Sequence, residues 1–311
     1  NQAYRRGTSV YFTDRVIPML PEELSNGICS LNPNEDRLAL SCFMEIDGKG
    51  NVLNHRLSET VIRSKYRLVY DDVSALLAGD AKFRRRYRAI VPLLTTMAEL
   101  YEILSARRQE RGSLEFELPE AKILLDENGR TQDVVLEERG VANRIIEEFM
   151  LICNETVAEH MENLGVPMLY RVHEIPDEDK VQELSAFLSG FGIPLRAKNG
   201  LTPKALQTAL AASKGKPEEY VVSRVALRSL KRARYCPENL GHFGLAAPYY
   251  CHFTSPIRRY PDLVVHRIVK ETLRGQLKKS RREALLAALP EIATHTSERE
   301  RAAVEAEREA N

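Results

Sequence analysis

Residues 252–263 read HFTSPIRRYPDL, which sets two neighbouring arginines, Arg258 and Arg259, directly behind a Thr-Ser-Pro step. Serine followed by proline is a helix-start pair: the serine side chain can accept from free first-turn amides, and proline sacrifices no hydrogen bond there. The pair predicts a helix capped by Ser255, beginning at Pro256, with Ile257, Arg258 and Arg259 in its first turn. Cations in a first turn oppose the helix dipole at a cost of about 0.3–1 kcal/mol each. A phosphate would relieve that conflict, since it can take the amides and a guanidinium fork together. The bland alternative is a surface corner in which Asp262 or another carboxylate pairs with the arginines.

Aromatic residues crowd the same stretch: Tyr249, Tyr250, Phe253 and Tyr260, with His242, Phe243 and His252 beside them. Flat rings next to fixed cations suit a single-stranded nucleic acid, whose bases stack while arginines hold the backbone, each stack contributing on the order of 1–3 kcal/mol. Core packing is the competing explanation for most of these rings. A second basic feature lies on the helix expected over 217–234, where Arg224, Arg228, Lys231 and Arg232 would share one face opposite Val221, Val225, Leu227 and Leu230. Further basic runs occur at 82–88, 107–112 and 229–235. Taken singly, such runs also read as solvated helix faces.

The whole chain offers no long-range attraction for a polyanion. It has 45 basic against 44 acidic residues in 311, a net charge of +1, so any nucleic-acid footprint must be local. A hydrophobic fraction of 43% with 29% charged residues is globular. No apolar run is long enough for a membrane span and the opening lacks a signal-peptide core, so a cytoplasmic protein without membrane contact is expected. The five cysteines are scattered without a Cys-x-x-Cys pair, which argues against a disulfide framework or a zinc site. A monomer is the expectation.

The elements that must position these residues follow from periodicity. Residues 1–37 are rich in turn formers and read as a packed loop rather than a helix. RLALSCFMEID and VLNHRLSETVI, joined by DGKGN, predict a β-hairpin, and AKILLDENGRTQDVVLEE predicts another with ENGR as its turn. Helices are expected over Val91–Arg111, stopped by Gly112, and over Ala142–Leu164, stopped by Gly165. More are expected at 177–191, 203–213, 217–234, 262–274 and 280–310, the 217–234 helix opening on Pro217 with Glu218 and Glu219 at its positive end. With no internal repeat and no Gly/Ser-rich linker, one α+β domain is the economical organisation.

GTSVYF, IPMLPEELSNGICSLNPNEDRLALSC, IIEEFMLICNETVA and GLAAPYYCHFTSPIRRYPDLVVHR, in this order and spacing, resemble the catalytic RNB domain of the ribonuclease II family. The resemblance covers nearly the whole chain. It implies an α+β fold, an antiparallel or mixed sheet surrounded by helices, with an RNA channel. Residues 1–276 would be a partial catalytic domain and 277–311 the C-terminal helical part of that domain. It further implies a processive 3′-to-5′ exoribonuclease that takes single-stranded RNA and releases nucleoside monophosphates by Mg2+-dependent hydrolysis. By the same resemblance Arg258 corresponds to the catalytic arginine that neutralises charge at the scissile phosphate. Tyr11 corresponds to the ring stacked on the terminal nucleotide, and Tyr70 and one of Glu147 and Glu148 to ribose-recognising positions. Glu307 resembles a late glutamate lining the site. Arg259, Tyr260, His252 and Arg228 are expected to contact RNA.

One departure bears on catalysis. The family holds magnesium with a cluster of aspartates that precedes GTSVYF, and the sequence opens just before GTSVYF without them. Asp71 and Asp72 are the nearest acidic pair, but they sit in a helix-start context. Two-metal hydrolysis needs carboxylates to hold the ions. The expectation is therefore a piece of a catalytic domain, also without the family's cold-shock and S1 domains, that binds RNA but does not cleave it. The alternative is a non-catalytic RNA-binding module or pseudo-enzyme.

Overall fold

The computed structural model describes residues 1–311 apart from 117–120, 128, 137, 138, 198, 199 and 311. The chain runs α1 (Gln2–Arg6), β1 (Val10–Tyr11), β2 (Val16–Ile17), a π-helix (Glu23–Ile28), β3 (Asp36–Ile46), β4 (Val52–Arg63), α2 (Tyr70–Leu77), α3 (Ala81–Arg86) and α4 (Val91–Arg111). It continues through β5 (Ala121–Leu125), β6 (Thr131–Leu136), α5 (Val141–Asn163), β7 (Tyr170–Val172), α6 (Glu178–Ser189), α7 (Pro203–Ala211) and α8 (Glu219–Ser229). It ends with β8 (Arg234–Cys236), a 3-10 turn (Phe243–Leu245), α9 (Tyr260–Leu273) and α10 (Lys279–Ala310).

The α+β class is as expected, but the described strands do not join into one sheet: they form separate antiparallel ribbons, β1–β2, β3–β4, β5–β6 and β7–β8. Both anticipated hairpins are present, with Leu40 opposite Glu59 in the first and Ile123 opposite Val134 in the second. Asn128 of the expected ENGR turn lies outside the described residues. Residues 1–37 are not all loop, since α1 and the π-helix occupy part of them; Ser25 is buried in the π-helix despite Pro18 and Pro21 before it. The helix at 217–234 is shorter than its apolar period suggests. It starts at Glu219 behind Glu218, two residues after Pro217, and stops at Ser229, where Leu230 turns extended and leads into β8.

The main core is built by three helices and the β7–β8 ribbon. Val157, Ala158 and Met161 of α5, Val265, Ile268 and Val269 of α9, and Leu285, Leu289 and Ala293 of α10 close on Tyr170, Val172, Tyr235 and Cys236. A fully buried aliphatic side chain contributes roughly 1.5–3 kcal/mol, so α9 is anchored along one whole face. α10 therefore shares this core with α5, α9 and the β7–β8 ribbon. Two smaller clusters unite α6, α7 and α8, and α2, α3 and α4. Among the described residues no helix is long and apolar enough to cross a membrane.

Candidate nucleic-acid interface

Three stretches far apart in sequence meet where α9 begins. The first is the segment from Gly7 to Tyr11. Gly7 has φ +72°, and a Cβ there would stand 2.5 Å from the Cβ of Arg299 on α10, so only glycine lets the segment pass so close to that helix. The second is the loop of residues 254–259. Ser9 N donates to the Arg258 carbonyl at 2.9 Å, Thr8 Oγ1 donates to the same oxygen at 3.2 Å, and Tyr260 N donates to the Gly7 carbonyl at 2.9 Å. The third is the last turns of α10, where Glu307 Oε1 accepts the Tyr11 amide at 2.8 Å. Arg258, Tyr11 and Glu307 are thus brought into one junction.

The loop differs from its expected form. Ser255 and Pro256 do not open the helix. The Ser255 carbonyl accepts the amides of Arg258 and Arg259 at 3.3 and 3.1 Å, closing a turn, and Arg259 is then extended (φ −131°, ψ 125°) as the cap residue of a helix that begins at Tyr260 with Pro261 behind it. The backbone pairing with Thr8 and Gly7 draws Arg259 out of helical conformation. Neither arginine therefore lies in the first turn.

The two arginines also have different fates. Arg259 donates from Nε and Nη2 to the two oxygens of Asp262 at 2.9 and 2.8 Å, and Asp262 is 0% exposed. The expected corner pairing exists, but only for Arg259, whose guanidinium is spent on it. Arg258 is half-buried, and among the described residues its side chain has no hydrogen-bond or ion-pair partner. Tyr11 keeps its ring open, at 46% exposure.

His252 stands behind this loop. Its Nδ1 lies 2.9 Å from Tyr235 Oη, and its ring meets Tyr235 and Tyr250 edge-on at 5.6 and 5.7 Å. Burial first, then the neighbouring charges of Arg259 and Arg171, hold its pKa well below the ordinary 6.5, so it is neutral at physiological pH. Arg171 stacks over Tyr235 at 4.7 Å and donates to Glu300 at 2.6 Å. Glu300 and Arg171 are site neighbours that the sequence reading missed. Within the charged run of α10 only the tertiary partner distinguishes Glu300, and no local signal marks it.

Tyr260 packs edge-on against Tyr4 at 5.4 Å and lines a cleft with Tyr4, Arg267 and Glu291. Tyr70 opens α2 and is exposed, and α2 leans on the start of α5, where Ser74 Oγ accepts the Ala142 amide at 3.3 Å. Of the glutamate pair, Glu147 is half-buried and accepts from Arg139 at 2.8 Å. Glu148 is 4% exposed and accepts from Arg108 Nε at 2.7 Å; burial raises its pKa, against the pull of Arg108. Glu148 is therefore a buried ion-pair partner of α4 rather than a free ribose contact. Arg228 is exposed near the end of α8, but the expected basic stripe is broken: Arg224 bonds Tyr220 Oη at 3.0 Å, and Lys231, beyond the helix, pairs with Asp177 at 2.7 Å.

Among the described residues no group of three or more histidine, cysteine, aspartate or glutamate side chains is placed to hold a metal ion. Glu307, Glu300 and Asp262 are each engaged with an amide or a guanidinium, and Asp72 accepts from Tyr87 and Arg86. The residues present do not fit a magnesium site.

The chain belongs to the RNB domain family, which it matches over residues 1–275. Within that family it is similar to Ribonuclease R 1 of Lactococcus lactis subsp. lactis, 48% identical over 309 residues, covering 99% of this chain and 38% of the relative. It is equally similar to Ribonuclease R of Aquifex aeolicus, 48% identical over 309 residues, 99% of this chain and 44% of the relative. Among solved structures, Mycoplasma genitalium RNase R in complex with ribose methylated single-stranded RNA superposes with a TM-score of 0.93 at 31% identity, over 100% of this chain and 49% of that one. The chain thus spans less than half the length of each of these relatives.

Proposed function

We propose that this chain is the greater part of the catalytic unit of a processive 3′-to-5′ exoribonuclease that hydrolyses single-stranded RNA to nucleoside monophosphates, working as a cytoplasmic monomer. The observation that supports the reading is the Arg258 guanidinium, without a partner among the described residues, on a backbone bonded to Ser9 two residues before Tyr11, whose own amide is held by the Glu307 carboxylate. Arg258 neutralises charge on the phosphate under attack, where a fork of fixed donors costs no reorganisation. Tyr11 stacks on the terminal base. Tyr70 and Glu147 contact ribose hydroxyls along the strand, neutral His252 and Tyr260 border it, and Arg228 meets the backbone further out. Arg259 acts behind these contacts, through its pair with Asp262.

The magnesium used by the family finds no fitting donor set among the described residues, and no step is assigned to it. On this reading the 311-residue chain alone binds RNA without cleaving it. The same donor set favours the second reading, a non-catalytic RNA-binding module. A labelled single-stranded oligoribonucleotide with magnesium separates the two. The first reading expects monophosphates from the full-length protein and binding alone from the 311-residue chain; the second expects binding alone from both. Arg258→Ala in the full-length protein should lower turnover about 100- to 1,000-fold, with little change in RNA affinity. Turnover close to the parent would remove Arg258 from the site.

A further inference from the structure

Of two adjacent arginines, the second, Arg259, is bonded to the buried carboxylate of Asp262. Asp262 Oδ1 accepts the Ser255 amide at 2.7 Å as well as Arg259 Nη2 at 2.8 Å, while Oδ2 accepts Arg259 Nε at 2.9 Å. One buried side chain on α9 thereby ties both ends of the five-residue stretch 255–259, and α9 itself is anchored in the core by Val265, Ile268 and Val269. Arg258 lies inside this clasp. Its carbonyl is held from the other side by Ser9 N and Thr8 Oγ1. The backbone of Arg258 is therefore fixed from two directions, while its guanidinium makes no bond among the described residues.

We infer that Asp262 and Arg259 are positioning residues: their bidentate pair locks the 255–259 loop so that Arg258 presents its guanidinium to a phosphate, an inference that rests on the reading of Arg258 above. Planar guanidinium and carboxylate meet through two parallel bonds, which fixes orientation as well as distance; lysine cannot reproduce this. The pair also settles which arginine is free. With Asp262 occupied by Arg259, Arg258 is not drawn back onto the protein. A displacement of about 1 Å at a reacting group can cost on the order of 100-fold in rate, so loosening the clasp should be felt in the chemical step before it is felt in binding.

The test uses the full-length protein and the variants Arg259→Lys, Asp262→Asn, Arg258→Ala and the double variant Arg258→Ala/Arg259→Lys. Single-turnover cleavage of a labelled single-stranded oligoribonucleotide is compared with RNA affinity measured without magnesium, and with amide hydrogen exchange over residues 253–260. Arg259→Lys should slow cleavage roughly 10- to 100-fold, leave affinity within about twofold, and speed exchange in the loop. Added to Arg258→Ala it should cost nothing more, because its effect passes through that guanidinium. Should Asp262→Asn fail to fold, Arg259→Lys and the double variant still decide. Parental cleavage in Arg259→Lys, a further loss in the double variant, or losses of rate and affinity in equal measure would each overturn the inference. If Arg258→Ala slows cleavage and Arg259→Lys does not, only this inference falls; if Arg258→Ala leaves cleavage intact, the reading of Arg258 falls and takes this one with it.

Discussion

His252 shares its surroundings with Arg258, Arg259 and Arg171, so a proton on its ring would add a fourth positive charge to a poorly solvated place. Its pKa is held well below 6.5 by burial and by those charges. His242, edge-on to the buried His173, is pushed down to about 3 by desolvation and then by His173 and Arg171. Burial likewise lowers His173 and His266. The unfolded chain takes up protons at these rings below about pH 6.5 while the folded chain does not. Folding stability is therefore complete above that value and is lost as pH falls toward the folded pKa values. Each such ring removes up to about 1.4 kcal/mol per pH unit. Urea unfolding between pH 7.5 and 5.5 should show this decline, and His252→Gln should flatten it by up to the share of one ring. Glu59 and Glu271, whose Arg partners hold them below the usual carboxylate range, stay ionised throughout that window and leave it to the histidines. An unchanged slope in His252→Gln would show that this ring takes up protons as readily in the folded protein as in the unfolded chain.

At the level of elements, the passage of the 7–11 segment over α10 decides whether Tyr11 can reach Glu307. Gly7→Ala imposes both a left-handed backbone and a clash with Arg299 Cβ. Gly275→Ala shares only the first, since φ is +65° and nothing lies within 4 Å of its added Cβ. The control should lose about 1–2 kcal/mol in urea unfolding and Gly7→Ala clearly more, together with RNA affinity, because the strand is pushed off the helix that orders it. Equal losses would mean that the close approach is not needed. The same contrast explains what could be read from the sequence. α4 has the limits that its apolar spacing and Gly112 foretell, because the stop is local: Gly112 turns at φ 102°. Even there the face is only partly legible, for Leu93 is exposed and Leu94 buried. The β3–β4 turn is equally local, with Asp47 Oδ1 accepting the amides of Lys49 and Asn51. The start of α9 was misplaced because a backbone pair from Gly7 to Tyr260, some 250 residues apart, overrides the Ser-Pro signal. Glu147 and Glu148 were inseparable for a similar reason, since only Arg108 on α4 makes one of them a buried partner. The motif residues Arg258, Tyr11 and Glu307 were identified from the resemblance; their junction is tertiary.

For the molecule as a whole, a net charge of +1 leaves no extended field to gather RNA. On the proposed function, affinity for RNA comes from a few local cations and from stacking on the exposed ring of Tyr11. Many of the guanidinium groups on this chain are already bound: Arg108 to Glu148, Arg111 to Glu155, Arg171 to Glu300, Arg259 to Asp262, Arg274 to Glu59 and Arg281 to Glu271. Those pairs neutralise no phosphate. For single strands the logarithm of affinity falls with the logarithm of salt by about 0.7 for each phosphate neutralised. If about three to five cations are free to act, the slope should lie near −2 to −3.5. Titrating a fluorescent single-stranded oligoribonucleotide across potassium chloride concentrations measures it directly. Arg228→Ala should make the slope shallower by about 0.7 while lowering affinity alike for every sequence, since a backbone contact reads no base. Tyr11→Ala should lower affinity with the slope unchanged, because a stack releases no counterion. A Tyr11→Ala protein with a flattened slope would mean that the ring orders a cation rather than a base, and the stacking role would have to be given up.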